Sequence, residues 1–322
     1  MNQSITDVPG IKVGHAQDWE AGTGCTVIIV ENGAVAGVDV RGGAPGTRET
    51  DLLDPVNIVQ KIHAIYLSGG SAFGLDGASG VMHFLEEKGI GFVTGPVKVP
   101  IVTGAVIFDL NIGNPSVRPD REMGYRACLD AHSGSIKEGC IGAGVGATVG
   151  KYYGNSRCMK GGLGTTSIQI GELIVGALVV VNAFGDIIDP STGKILAGTL
   201  NEEKNQFVHT DQLLLNQVFL ERNPFLQNTT LGVVATNAEL GKAEAKRLSM
   251  SAHDGFARCI SPSHTLYDGD VIFALGTGKI KVDLNQLNSI SAYVISGAVK
   301  KAVLAASTMY GIPSHIDFLK LK

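Results

Sequence analysis

The segment that decides the fold class reads Cys25-Thr26-Val27-Ile28-Ile29-Val30-Glu31-Asn32-Gly33-Ala34-Val35-Ala36-Gly37-Val38-Asp39-Val40. Two apolar runs, 25–30 and 34–40, stand on either side of the turn-prone triplet 31–33. Short β-prone runs that are separated by a glycine-containing turn are typical of a β-hairpin. The segment therefore predicts two neighbouring strands, joined by a tight turn, near the start of the chain.

Apolar runs and helical patterns alternate along the rest of the sequence. Strands are predicted at 62–67, 91–94, 106–110, 174–182, 231–236 and 271–275, with a small hairpin over 186–200. One helix is predicted from the turn at 68–71 to about residue 88, and others are predicted over 124–132, 210–222, 238–260 and 290–310. With the early strands at hairpin spacing, this alternation favours an α/β fold in which helices cover a mixed sheet. The polar stretch 201–228 is the one candidate domain boundary.

The composition is that of an apolar, well-packed globular protein. Of the 322 residues, 44% are hydrophobic and only 17% are charged, and 43 are glycine. This balance indicates tight turns and a surface that other subunits partly cover. The net charge of −4 gives no general attraction to nucleic acid or to an anionic membrane, so we expect neither as a partner.

Cysteine usage and the first residues indicate the compartment. The five cysteines are scattered and form no CxxC pair, which argues against a disulfide framework and a zinc site. Residues 1–7 lack the basic and apolar regions of a signal peptide, and no apolar run reaches the ~18 residues of a membrane span. We therefore expect a cytoplasmic protein.

One candidate for catalysis lies just before the strand predicted over 231–236. There the turn-prone Asn228 precedes Thr229, whose hydroxyl stands at the entrance of an apolar strand. In a strained turn, that hydroxyl can attack the carbonyl carbon of Asn228. Hydrolysis of the resulting ester frees an N-terminal Thr that carries a nucleophile beside an amine base. A plain turn into a strand gives the same pattern, and the pattern alone favours that simpler interpretation.

A second candidate is the pair Asp268 and Asp270, separated by one glycine at the entrance of another predicted strand. Two close carboxylates raise the pKa of one of them, which suits acid/base chemistry or amine binding. An Asp-Gly turn is the simpler alternative. His253-Asp254 and His264 suggest a Ser-His-Asp triad, but the sequence has no GxSxG elbow. Because His253 falls within a helical pattern, we expect it to be a packed helix residue.

Two glycine-rich stretches do not support nucleotide binding. The run 142–146 follows no predicted strand and has no acidic residue about 20 positions on, as a dinucleotide fingerprint requires. Lys160-Gly161-Gly162 lacks the glycine that opens a phosphate loop. We expect neither a metal nor an organic cofactor.

Several motifs together resemble the L-aminopeptidase/D-esterase-amidase (DmpA-type) family of self-processing peptidases, which includes β-aminopeptidases and nylon-oligomer endohydrolases. The resemblance covers essentially the whole chain. Its carriers are Thr6-Asp7-Val8-Pro9-Gly10-Ile11-Lys12-Val13-Gly14-His15, Asp39-Val40-Arg41-Gly42-Gly43-Ala44-Pro45-Gly46-Thr47-Arg48-Glu49-Thr50, Leu67-Ser68-Gly69-Gly70-Ser71-Ala72-Phe73-Gly74-Leu75, Lys160-Gly161-Gly162-Leu163-Gly164-Thr165 and Val234-Ala235-Thr236-Asn237-Ala238. The first two motifs are highly specific together.

The resemblance reverses the interpretation of the Asn228–Thr229 bond. It implies self-cleavage of a single-domain chain, 1–322, into a larger part, 1–228, and a smaller part, 229–322, with Thr229 as the N-terminal nucleophile. The Asn-Thr junction looks like that of the nylon-oligomer hydrolase branch, whose acidic pair about forty residues after the nucleophile matches Asp268 and Asp270. Asn182 matches an asparagine whose amide stabilises the tetrahedral oxyanion.

Two positions leave the substrate pocket less well defined. Lys151 matches a lysine near the nucleophile, although Lys160 competes with it because the alignment in this glycine-rich stretch is ambiguous. Phe108 replaces the tyrosine that nylon hydrolases carry in the sequence Ala-Val-Ile-Tyr-Asp. A phenolic hydrogen bond is therefore missing from the pocket, which counts against nylon-type specificity.

The family fold is a four-layer α/β/β/α sandwich that resembles the amino-terminal-nucleophile hydrolases but has a different strand connectivity. The resemblance implies an amidase or aminopeptidase that acts on small peptides, amino-acid amides, esters or nylon-like oligomers and assembles as a homo-oligomer, often a tetramer. Two alternatives stay open. One is an acyltransferase of the ornithine-acetyltransferase type on a related fold, and the other is an unprocessed small-molecule binding protein.

Overall fold

The computed structural model describes residues 1–216 and 228–320, a mixture of sixteen strands and six α-helices. The strands are β1 (Lys12–Asp18), β2 (Thr23–Val40), β3 (Thr47–Arg48), β4 (Ile62–Ser68), β5 (Phe92–Val93), β6 (Lys98–Val99), β7 (Val102–Val106), β8 (Thr148–Val149), β9 (Met159–Lys160), β10 (Gly162–Ile170), β11 (Leu173–Asn182), β12 (Asp186–Ile188), β13 (Ile195–Ala197), β14 (Thr229–Ala238), β15 (Ile260–Ser261) and β16 (Val271–Ile280). The helices are α1 (Gly77–Glu87), α2 (Arg121–Asp130), α3 (Thr210–Asn216), α4 (Lys242–Cys259), α5 (Leu284–Leu304) and α6 (His315–Lys320).

One large sheet organises these elements. Its strands follow the order β10-β11-β14-β16-β2-β4-β7-β3, and β1 pairs with β2 beside this path. The pairs β14–β16 and β4–β7 are parallel, whereas the other pairs in this sheet are antiparallel. The mixed sheet expected from the sequence is thus confirmed.

The expected hairpin at 25–40 is wrong, because the two apolar runs belong to a single strand, β2. The first run pairs with β1 and β4, and the second pairs with β16. Between them, the register against β4 shifts between Ile29 and Ala34, and Gly33 adopts a φ of 71°. Gly33, whose left-handed conformation would suit a hairpin turn, therefore lies in a β-bulge of one continuous strand. In consequence, β2 runs through both halves of the sheet.

The two halves of the sheet pack face to face, with helices on the outer surfaces. On β2, Val27 and Ile29 pack with residues of α1 and α2, whereas Ile28 belongs to a central core. On β14, Val233 joins the same central core, and Val234 packs with residues of α4 and α5. Because successive side chains of a strand point to opposite faces, both faces of each half are buried. The layers are therefore α1/α2, sheet, sheet and α4/α5, the four-layer sandwich expected.

Other boundaries differ from the sequence prediction in ways that matter for the site. The strand predicted at 106–110 is wrong in position, because β7 ends at Val106 and the chain then turns so that Asp109 binds Gly70. The helix predicted over 210–222 is present as Thr210–Asn216, and its remainder lies outside the described residues. Among the described residues, no helix is both long and apolar enough to cross a membrane.

Candidate active site

The junction between Asn228 and Thr229 lies at the first residue of β14, where the chain enters the sheet. The carbonyl oxygen of Asn228 accepts a hydrogen bond from the Gly269 backbone N–H at 2.8 Å and another from the Thr229 hydroxyl at 2.5 Å. The Asn228 N–H in turn donates to the carbonyl of Tyr267 at 2.9 Å. The junction is therefore held against the loop before β16, with the threonine hydroxyl directly beside the preceding carbonyl group.

A cavity of about 310 Å³ opens beside the Thr229 side chain. Asn228 and Thr229 are otherwise buried, with exposed fractions of 1% and 4%. All residues that line the cavity are uncharged, and they are Ala44, Pro45, Gly46, Ser71, Ala72, Val106, Ile107, Phe108 and Thr229. The structure thus places Phe108, the position that departs from nylon hydrolases, in the wall beside Thr229.

Asn182, the last residue of β11, lies opposite Thr229 in the antiparallel pairing of β11 with β14. Its side-chain oxygen accepts hydrogen bonds from Lys151 Nζ at 2.7 Å and from the Thr148 N–H at 3.0 Å. Its Nδ2 donates to the carbonyl of Phe108 at 3.1 Å, at the cavity wall. Because an amide nitrogen carries two hydrogens, this bond engages one of them. The amide is thereby oriented with its nitrogen toward the cavity wall.

The two candidate lysines occupy different places. Lys151 Nζ binds both the side chain and the backbone carbonyl of Asn182, at 2.7 and 3.1 Å. Burial lowers the pKa of Lys151 to about 7, although Cys158 and Asp268 favour its charged form. Lys160 Nζ donates instead to the Val145 carbonyl at 2.7 Å, and burial lowers its pKa as well. Geometry therefore brings Lys151, and not Lys160, to the asparagine opposite Thr229.

Asp268 is held by the loop that precedes it. Its carboxylate accepts hydrogen bonds from the hydroxyl and the N–H of Thr265, at 2.6 and 3.0 Å, and from the Phe184 N–H at 3.3 Å. Burial, followed by repulsion from Asp270, raises its pKa to about 6. All these partners donate hydrogen bonds, which offset part of the cost of ionising the buried carboxyl group.

Asp270 points to other partners. It accepts a hydrogen bond from the N–H of Thr230 at 2.7 Å, and from the N–H and the ring Nδ1 of His264 at 3.1 and 2.9 Å. The carboxylate thus fixes the backbone directly after Thr229 to the loop before β16. The two acids therefore bind different elements. Asp270 holds the start of β14, and Asp268 holds the loop before β16 and the N–H of Phe184.

Sequence reasoning missed several contributors. His264, considered only for a serine triad, is the ring partner of Asp270. His253 is buried in α4, as its helical pattern indicated, and its ring lies 4.9 Å from that of His264. The motif over 39–50 carries no assigned role in the sequence, and its residues Ala44 and Pro45 form part of the cavity wall. The motif over 67–75 likewise contributes Ser71 and Ala72 to the cavity lining. Contacts such as His264–Asp270 have no such sequence signal, because they depend on the conformation of one loop.

The part of the cavity wall that contains Ser71 is held in place by a buried acid, Asp109. Asp109 accepts hydrogen bonds from the Gly70 N–H at 2.6 Å and from the Thr23 hydroxyl at 2.7 Å. Burial raises its pKa to about 6. Gly70 and Ser71 adopt φ values of 81° and 53°, a left-handed bend that is unusual for serine. Asp109 therefore supports the bend that presents Ser71 to the cavity.

Comparison with known proteins gives a consistent result along the chain. The model of peptidase family S58 matches residues 3–316. An uncharacterized aminopeptidase of Mycobacterium leprae is 41% identical, over 97% of this chain and 93% of its own length. A 6-aminohexanoate-oligomer endohydrolase of Paenarthrobacter ureafaciens is 31% identical, over 92% of this chain and 84% of its own.

A solved structure agrees with the fold. The L-aminopeptidase D-Ala-esterase/amidase of Ochrobactrum anthropi, described as a new variant of the Ntn hydrolase fold, superimposes with a TM-score of 0.74. The match is 17% identical in sequence and covers 99% of this chain and 93% of the other. At this identity, the likeness establishes the shared fold.

Proposed function

The chain belongs to peptidase family S58 and is an amide hydrolase of the DmpA kind, and from that premise we propose that it cleaves its own Asn228–Thr229 bond and then uses Thr229 as its nucleophile. The observation that carries the proposal is the contact between the Thr229 hydroxyl and the Asn228 carbonyl, at 2.5 Å, beside the uncharged cavity.

Self-cleavage begins with attack of Thr229 Oγ1 on the carbonyl carbon of Asn228. The C–N bond then breaks, and the nitrogen of Thr229 takes the proton that the hydroxyl gives up. The product is an ester between the two residues. Water hydrolyses this ester and leaves the Asn228 carboxylate, the free hydroxyl and a free α-amine on Thr229. The products are the chains 1–228 and 229–322.

Substrate hydrolysis follows the same chemistry at the freed residue. Thr229 Oγ1 attacks the substrate amide, while its own α-amine takes the hydroxyl proton and passes it to the leaving amine. The Asn182 amide donates to the oxyanion, and water releases the acid from the acyl-enzyme. Lys151 orients Asn182, and Asp270 holds the backbone N–H of Thr230. Asp268 keeps the adjoining loop in place through Thr265.

The cavity supports small substrates with an uncharged acyl group. Its uncharged lining and volume of about 310 Å³ fit short peptides, amino-acid amides or esters and single units of a nylon-like oligomer. The names of the relatives, aminopeptidase and 6-aminohexanoate-oligomer endohydrolase, support amide bonds as the target.

We also propose that the processed chains assemble into a homo-oligomer in the cytoplasm. The charge content of 17% is low, and the apolar side chains of Val56, Ile58 and Leu266 are exposed by 88%, 86% and 83%. Subunit contacts would remove such side chains from water. Sedimentation velocity of the purified protein tests this, and a monomer at micromolar concentration would contradict it.

The test of the nucleophile uses three variants and a panel of peptides, amino-acid amides, esters and 6-aminohexanoate oligomers. Thr229→Ala should abolish hydrolysis, and Thr229→Ser should retain it, because serine keeps the hydroxyl. Thr236→Val, a buried hydroxyl at the far end of the same strand, is the matched control and should stay active.

Product analysis separates hydrolysis from the alternatives. Free acid released in the presence of ornithine supports a hydrolase, whereas an acylated ornithine would indicate a transferase. A stable acyl adduct on the peptide that begins at Thr229 supports the acyl-enzyme. Undiminished hydrolysis by Thr229→Ala would contradict the proposal.

A further inference from the structure

We propose that the backbone N–H of Gly269 is the oxyanion donor for the self-cleavage step, an inference that rests on the cleavage at Asn228–Thr229 proposed above. When Thr229 Oγ1 bonds to the Asn228 carbonyl carbon, the electron pair of the C=O bond moves to the carbonyl oxygen. The charge of the tetrahedral intermediate therefore develops on the atom that Gly269 already contacts.

The uncleaved chain has the required geometry before any reaction. Gly269 N lies 2.8 Å from the Asn228 carbonyl oxygen, and Thr229 Oγ1 lies 2.5 Å from the same oxygen. The hydrogen bond from Gly269 becomes stronger as negative charge develops on this oxygen, since a charged acceptor roughly doubles the strength of a hydrogen bond. The contact thus favours the intermediate over the ground state.

The loop that carries Gly269 is fixed on both sides. The Asp268 carbonyl accepts from the Ala44 N–H at 2.8 Å, and the Asp270 carbonyl accepts from the Arg41 N–H at 2.9 Å. The Asp268 N–H also donates to the carbonyl of Thr265 at 3.1 Å. These backbone bonds hold the Gly269 N–H in place, so little reorganisation is needed when the charge appears.

The absence of a side chain at Gly269 is itself required by the site. A Cβ built on this residue would lie 2.6 Å from the Ala44 carbonyl oxygen and 2.7 Å from Thr229 Oγ1. Both distances are shorter than real Cβ contacts, so any other residue would displace the nucleophile or the loop. Glycine at this position allows the backbone to approach the reacting atoms.

The sheet topology separates this donor from the asparagine proposed for substrate hydrolysis. β14 lies between β11 and β16, so Thr229 has Asn182 on one side and the loop before β16 on the other. The Asn228 carbonyl bonds toward the β16 side, where Gly269 lies. The oxyanion donor for self-cleavage, the Gly269 N–H, therefore lies on the side of Thr229 that faces away from Asn182.

The decisive experiment replaces the Gly269 amide with an ester. Cell-free translation with glycolate at position 269 removes the N–H and keeps the shape, and the rate of conversion of the full chain into 1–228 and 229–322 is followed by mass spectrometry. We expect the rate to fall by about 10²–10³, the cost of losing one oxyanion donor. Glycolate at Gly171, an exposed turn residue with open space around it, is the control and should cleave at the unmodified rate.

The outcomes are distinct. Cleavage at an unchanged rate in the glycolate-269 chain would overturn the role of Gly269 while leaving Thr229 as nucleophile. Absence of cleavage in the unmodified chain would instead refute the proposed function. A second measurement does not depend on folding of the ester: in the Thr229→Ala chain, the Gly269 amide should exchange its hydrogen more slowly than that of Gly171. Equal exchange would overturn the inference.

Discussion

Asn182 at the end of β11 and Thr229 at the start of β14 lie directly opposite each other in antiparallel register. This pairing places Asn182, whose side-chain amide is oriented by Lys151, next to Thr229, the residue that we propose as the nucleophile. Since both residues are the terminal members of their strands, the site forms where the sheet ends and the cavity begins.

We expect Asn182→Asp to slow substrate turnover by about 10²–10³ in kcat, because the variant keeps the shape and loses the N–H donor to the oxyanion. Steady-state kinetics on any peptide amide that the wild type cleaves gives the comparison. Asn237→Asp is the matched control, since Asn237 lies on β14 at its far end. A wild-type kcat in Asn182→Asp would exclude its amide as an oxyanion donor.

Asp268 should make stability depend on acid pH. Its folded-state pKa of about 6 lies above the ordinary value of 3.8, chiefly through burial. The protonated carboxyl therefore stabilises the fold below pH 4, and this contribution is lost as the pH rises through about 6. Between pH 4 and 7, the free energy of unfolding of the wild type should fall by roughly 2–3 kcal/mol relative to that of Asp268→Asn. Urea unfolding at both pH values measures the free energy of unfolding of the two proteins. If the two differ by the same amount at pH 4 and at pH 7, the raised pKa of Asp268 is contradicted.

Lys151 should make the protein more stable as the pH rises into the alkaline range, the opposite of the effect of Asp268. Burial lowers its pKa from 10.5 to about 7, so between these values the unfolded chain binds one more proton than the folded chain. Stability then rises with pH. Between pH 7 and 9.5, the free energy of unfolding of the wild type should rise by roughly 3 kcal/mol relative to that of Lys151→Met. Denaturant unfolding tests this, with the exposed Lys61→Met as control, and an equal pH response in wild type and Lys151→Met would refute it.

Phe108 should control the choice of substrate. Phe108→Tyr adds a phenolic hydroxyl to the cavity wall beside Thr229. One hydrogen bond of about 1 kcal/mol should raise kcat/KM several-fold for a linear 6-aminohexanoate oligomer relative to an apolar peptide amide. The ratio of the two kcat/KM values is the measurement. Phe92→Tyr, exposed and outside the cavity lining, is the control, and an unchanged ratio in Phe108→Tyr would contradict the role.

Much of the fold was predictable because its local signals are strong. The apolar runs of β11, β14 and β16 and the helical pattern of α4 appear in the sequence near the observed elements, whereas α5 begins and ends six residues before its predicted bounds. The hairpin at 25–40 failed because Asn32-Gly33 carries the same signal in a bulge as in a turn. Which of the two forms depends on distant partners, here β1, β4 and β16, that local sequence does not specify.

The family motifs predicted Thr229, Asn182 and the acidic pair as site residues, and the structure places them around one junction of the sheet. Their contacts were not predictable. The sequence did not indicate that Asp268 binds Thr265 while Asp270 binds His264, because those contacts depend on the closed conformation of one loop. The role that we propose for Gly269 has no sequence signal either, since it belongs to a backbone N–H that every residue other than proline carries.

The mass of the purified protein tests the central claim most directly. We predict two polypeptides, 1–228 and 229–322, with N-terminal sequencing of the smaller one beginning at Thr229, and a single full-length chain for Thr229→Ala. A wild-type protein that is folded and yet remains one chain of 33.6 kDa after prolonged incubation would contradict the account.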